Sequence, residues 1–177
     1  MELISLAHYA ATMLEALPLL TYRTIISAGD SLNETIHGAS LVPSVSDAFD
    51  KSLGNLSDTL DAASGNMSML STQTAALGES VACAGTGPTV SALVEPCDSL
   101  LGTATATMST HQEAMTQVTN VRGIVIANKD SIPSDILSQM SDAISSMQAN
   151  GRKAQVAIEG LIQNVSALKA MLVSMEG

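Results

Sequence analysis

Two cysteines, three histidines and a scatter of carboxylates carry the reactive chemistry of this chain, and their spacing decides what they could do. Cys83 and Cys97 lie just past the end of one apolar seam at Val81 and just before the start of another at Leu101. The stretch they bracket contains Gly85-Thr86-Gly87-Pro88 and Glu95-Pro96, poor material for a helix. If the flanking helices run antiparallel, both thiols sit at one end of a hairpin. A disulfide between them would close a loop of about 15 residues, worth roughly 3 kcal/mol in the chain-entropy view. Its presence would place the protein in an oxidising setting, extracellular or on a virion; the alternative is a pair of free loop thiols in the cytosol. No further Cys or His stands at ligand spacing, so no metal is expected.

His8, His37 and His111 form no HxH or HExxH pattern. His111 falls on an apolar seam, which reads as a hydrogen-bonded core residue or a register-setting polar group rather than as a catalytic base. Gly85 to Gly87 lacks both the third glycine of a dinucleotide loop and the lysine of a phosphate loop. Asp58 and Asp61, one turn apart, read as solvated charges. Asn33, Asn55, Asn66 and Asn164 each open an Asn-X-Ser/Thr triplet, a pattern that arises by chance in a chain so rich in Ser and Thr. No catalytic residue and no cofactor site is expected, and the chain reads as non-enzymatic.

The elements that carry these residues are set by apolar spacing. Leu137, Met140, Ile144, Met147, Gly151, Ala154, Ile158, Leu161, Val165, Leu168, Leu172 and Met175 recur at alternating steps of three and four. Such a narrow stripe is buried only against another helix. Val45, Phe49, Leu53, Leu56, Leu60, Ala63, Met67, Leu70, Thr74, Leu77 and Val81 repeat the pattern, with Thr74 its one polar member. Shorter seams read Leu101, Ala104, Met108, His111, Met115, Val118, continued by Val121 or Arg122, and Leu3, Leu6, Ala10, Met13, Leu17, Leu20. Pro18 should kink or end the N-terminal helix. Ser31 with Glu34 forms a capping-box pattern for a short helix ending at His37-Gly38. Ser44 with Asp47 suits the start of the second seam, and Ser131 with Pro133 the start of the last. Asn150-Gly151 is a turn signal, but the seam keeps its phase across it, so one helix of about 43 residues and roughly 64 Å is expected.

The expected fold is all-α: an elongated antiparallel bundle with heptad seams, three long helices plus an N-terminal helical arm. The arm covers 1–38 and the long-helix bundle 44–177, with a Cys-bracketed loop at 82–99. One Phe, two Tyr and no Trp against ten Met suit thin helix-to-helix seams. Seven basic and seventeen acidic residues give a net charge of −10, and Arg152-Lys153 is the one adjacent basic pair, which excludes a nucleic-acid face. Charged residues make up 14% of the chain, whereas ordinary surfaces carry roughly 25–35%. With outward positions of Ser, Thr, Ala, Asn and Gln, this predicts faces covered by neighbours.

The function expected is therefore that of a structural or assembly protein, a building block of a virion or of an exported filament, tube or channel, homo-oligomeric or combined with other subunits. The assembly seam would use Leu53, Leu56, Leu60, Met67, Leu70, Leu77, Met140, Ile144, Met147, Ile158, Leu161, Val165, Leu168 and Leu172. The alternative is a secreted helical carrier of a lipid or other apolar ligand. No run of 18 apolar residues predicts an ordinary membrane-spanning helix, and the N-terminus lacks the basic start of a secretory signal. Residues 1–20 are the stretch that would contact a membrane as an amphipathic helix.

Overall fold

A computed structural model describes residues 19–83 and 91–176. Those residues form four α-helices and two short 3-10 turns, with no strand among them. Helix α1 spans Leu19–Gly38, α2 Pro43–Cys83, α3 Val94–Ala127 and α4 Ser134–Glu176. The N-terminal seam from Leu3 to Leu17, His8 and the Gly85 to Gly87 loop lie outside the described residues.

Proline chemistry sets two of the starts. The Val42 carbonyl accepts from the Ser46 N–H at 3.0 Å, so Pro43, not Ser44, is the first helical residue of α2. Its ring presets φ and its missing N–H would have had no partner in the first turn. The Pro133 carbonyl likewise accepts from the Leu137 N–H at 2.8 Å and opens α4, with Asp135 near the positive end. α1 starts at Leu19, directly after Pro18 in sequence, and runs unbroken past Ser31, so the capping-box pattern there starts no helix. α3 ends at Ala127, where the Asn128 side-chain amide donates to the Ile124 carbonyl at 2.8 Å. α4 continues without a break through Asn150-Gly151, whose asparagine amide donates back to the Ser146 carbonyl at 2.9 Å.

A Ser/Thr-rich chain can sustain such helices because its hydroxyls are satisfied locally. Thr59, Thr72, Thr103, Thr105, Thr116 and Thr119 each donate to the carbonyl four residues back. Thr74, fully buried, does the same to Leu70 at 2.7 Å, which removes the penalty of a hydroxyl inside the apolar stripe of α2.

The helices distribute over two compact units. One contains Leu20–Ser64 and Thr110–Ala154. Its interior is built from Tyr22, Ile25, Leu32 and Ile36 of α1, Phe49, Leu53, Leu56 and Leu60 of α2, Val118, Val121 and Val125 of α3, and Met140, Ile144 and Met147 of α4. Gly29 lets α1 come close: a Cβ there would stand 3.3 Å from Leu60 Cδ1 and 3.7 Å from Met147 Sδ. The other unit contains Gly65–Ser109 and the chain from Gln155 onward. It buries Met67, Leu70 and Leu77 of α2, Cys97, Leu100 and Ala104 of α3, and Ile158, Leu161, Val165, Leu168 and Leu172 of α4.

α3 buries Ala104, His111 and Val118 as expected but departs from the expected seam at the alternate positions. Its buried residues are Cys97, Leu100, Ala104, Thr107, His111, Ala114, Val118, Val121 and Val125, while Leu101, Met108 and Met115 are only half buried. At three places an adjacent pair competes for the inward position, and Leu100, Thr107 and Ala114 take it from Leu101, Met108 and Met115. The helix also starts seven residues before Leu101 because Pro96 falls within its first turn, where a proline costs no backbone bond.

Candidate functional site

The early start of α3 changes the cysteine chemistry. Cys97 lies on the inward face of the helix, fully buried, instead of in a loop, and Cys83 is exposed at the end of α2. Both thiols are free, and the expected Cys83–Cys97 disulfide is absent, since one sulfur faces the core and the other solvent. Burial, and then the neighbouring Asp98 carboxylate, push the Cys97 thiol up to about 11, with Lys169 pulling the other way. Lys169 of α4 donates to Asp98 of α3, an exposed pair of modest worth. With the disulfide gone, the argument for an oxidising compartment lapses.

The fourteen proposed seam residues are all buried, in one unit or the other. Of the methionines, Met67, Met140 and Met147 are buried, whereas Met69 is 53% exposed.

His111 is the centre of a buried polar cluster. Its ring is fully enclosed, and its Nε2–H donates to the Gly151 carbonyl at 2.9 Å. A carbonyl can only accept, so Nδ1 of the neutral ring carries the lone pair, which accepts from the Tyr22 hydroxyl at 2.7 Å. The two rings meet edge to face with centroids 5.5 Å apart. α1, α3 and α4 are thereby joined through one imidazole. Burial holds the His111 pKa below its ordinary value, the Gly151 carbonyl partly opposing, and burial also raises the Tyr22 phenol. Gly151 is needed for this approach, since an added Cβ would overlap Met115 Sδ and stand 3.3 Å from Met115 Cγ and Cε. The asparagine-glycine pair that resembles a turn is thus a close helix crossing. With both nitrogens engaged and no exposed surface, His111 has neither a lone pair nor a proton to offer a ligand.

A second place in the same unit faces solvent. Between α1 and α2 lies a groove of about 410 Å³, walled by Ile26, Leu53, Leu56 and Leu60 and rimmed by Asp30, Asn33, His37, Asp50, Ser57 and Asp61. Gly54 leaves it open, having nothing within 4 Å of where a Cβ would stand. The His37 Nδ1–H donates to the Asn33 carbonyl at 2.8 Å, which turns Nε2 toward Asp50 Oδ1 at 3.5 Å. The carboxylates are spread along the rim; among the described residues no three acidic, His or Cys side chains are gathered to hold a metal ion. Sequence reading passed this groove by, because it took Asp58 and Asp61 alone. The usable signal was the pairing of two stripes at helical spacing, Asp30, Asn33, His37 and Asp50, Gly54, Ser57, Asp61.

One further surface feature belongs to α4. By length and mean composition it is apolar enough to cross a membrane, although it holds no uninterrupted run of 18 apolar residues, and 28% of its most apolar 18-residue stretch is buried. Val156 and Val173 on this helix are 68% and 49% exposed. The chain matches no protein-family model, no curated protein and no solved structure.

Proposed function

We propose that this chain is a non-enzymatic structural protein, a building block of a larger particle such as a virion or an exported filament, tube or channel, assembled by helix–helix packing. In this reading the helices form an antiparallel bundle along heptad seams, and their mildly polar outer faces meet neighbouring copies. The observation that carries it is the apolar side chains that the chain leaves open on α4, where Val156 is 68% and Val173 49% exposed. Apolar surface left open in this way marks an interaction site. Leu20, Val42, Met69 and Ile126, each more than half exposed, add to it. The antiparallel arrangement of α1 and α2 is supported by contacts whose numbers fall on one helix as they rise on the other, Gly29 with Leu60 and His37 with Asp50.

The test is light scattering coupled to size exclusion on the whole protein, repeated after reduction. A defined oligomer or a large species is expected, unchanged by reductant because the thiols are free. A single species of 18.2 kDa at all concentrations would refute self-assembly.

A further inference from the structure

We propose that the groove between α1 and α2 receives the Arg152–Lys153 pair of a second copy of this chain, an inference that rests on the assembly reading above. Residues 1–100 hold two basic and eleven acidic side chains, a net −9, while residues 101–177 hold five and six, a net −1. The groove concentrates that imbalance: Asp30, Asp50 and Asp61 stand on its rim, and His37 is its one basic lining group. Three carboxylates beside an open apolar surface suit cations carried on long apolar stems, since the methylenes of Arg and Lys can lie on the half-buried Ile26 and over Gly54 while their heads meet the rim.

Arg152 and Lys153, neighbours on α4, supply two such stems. Both are exposed, and neither takes part in an ion pair or hydrogen bond among the described residues. Lys169 is already held by Asp98, so it does not compete. Groove and basic pair are different patches of the same unit. A contact between them either closes reciprocally into a dimer or repeats from copy to copy as an open chain. Because the rim is exposed, the contact steers and orients association and weakens as salt rises.

The experiment compares the full-length wild type with two charge reversals, D50K/D61K in the groove and R152E/K153E on α4, by sedimentation velocity, with circular dichroism to establish folding. Each reversal alone is expected to weaken association on the order of tenfold or more. An equimolar mixture of the two is expected to associate again, because the intact basic pair of one meets the intact groove of the other. Association unchanged in both variants overturns this inference while leaving assembly standing. Loss confined to D50K/D61K overturns the pairing and assigns the groove to another basic segment. A wild type that stays monomeric overturns assembly and this inference together. Should D50K/D61K not fold, D61N and the salt dependence of wild-type association decide, each expected to weaken it and each overturning the inference if it does not.

Discussion

Exchanging His111 for Gln should remove an acid sensitivity built into the bundle. The native ring is neutral, buried and hydrogen-bonded at both nitrogens, and its pKa lies below the ordinary 6.5. As pH falls through about 6.5 the unfolded chain takes up a proton that the folded chain refuses, so stability is complete above that value and is lost below it, down to the folded pKa. Protonating Nδ1 would also deprive the Tyr22 hydroxyl of its acceptor. The groups facing the ring are the Tyr22 phenol from α1 and the Gly151 carbonyl from α4, and no charged side chain contributes to its shift. If the native ring stays neutral throughout, lowering the pH from about 7.5 to about 5.5 costs about 1.4 kcal/mol, the proton affinity of one ordinary imidazole over that interval. In a chain of this length that is roughly 3–6 °C in Tm. Gln can donate to Gly151 and accept from Tyr22 without titrating, and every other residue is common to both proteins. The assay is urea unfolding of wild type and H111Q at both pH values. The wild type should lose more than the variant, by up to about 1.4 kcal/mol; parallel losses would refute the account of His111.

Glycine substitutions should separate close crossings from open positions. Gly160→Ala, with nothing within 4 Å of the new Cβ, should raise the urea midpoint by the equivalent of roughly 0.5–1 kcal/mol. Gly151→Ala should instead cost about 1 kcal/mol net, since Met115 must leave its place. Iodoacetamide at neutral pH should modify Cys83 promptly and Cys97 only on unfolding; equal rates on native protein would contradict the burial of Cys97. Leu161→Ala, at a fully buried site, should cost about 2–5 kcal/mol by denaturant melts. Lys169→Ala, which breaks an exposed pair, should stay within about 1 kcal/mol.

Much of the helical content was legible because a long seam repeats a local signal many times. α2 and α4 end within two residues of the limits their apolar periodicity implies, and α4 is unbroken because Gly151 keeps the phase of its neighbours. α3 was harder. Leu100 beside Leu101, Thr107 beside Met108 and Ala114 beside Met115 give two phases of similar hydropathy, and hydropathy favours the wrong one. Where helices approach closely, size decides, so a threonine that can bond its own backbone displaces a methionine. The early start of α3 at Val94 carried Cys97 from an expected loop into the core and removed the disulfide.

By itself, then, the sequence determined that the stretches 45–81 and 137–175 are helical, that the last helix opens at Pro133, and that His111 belongs to an apolar stripe, because these depend on residues within a few positions of one another. Tertiary structure alone decided the partners of His111, which stand 89 and 40 positions away, the need for glycine at 151, and the groove between α1 and α2. Those features depend on which face of each helix meets its neighbour and how closely, and that is settled by the fit of side chains brought together only when the chain has folded.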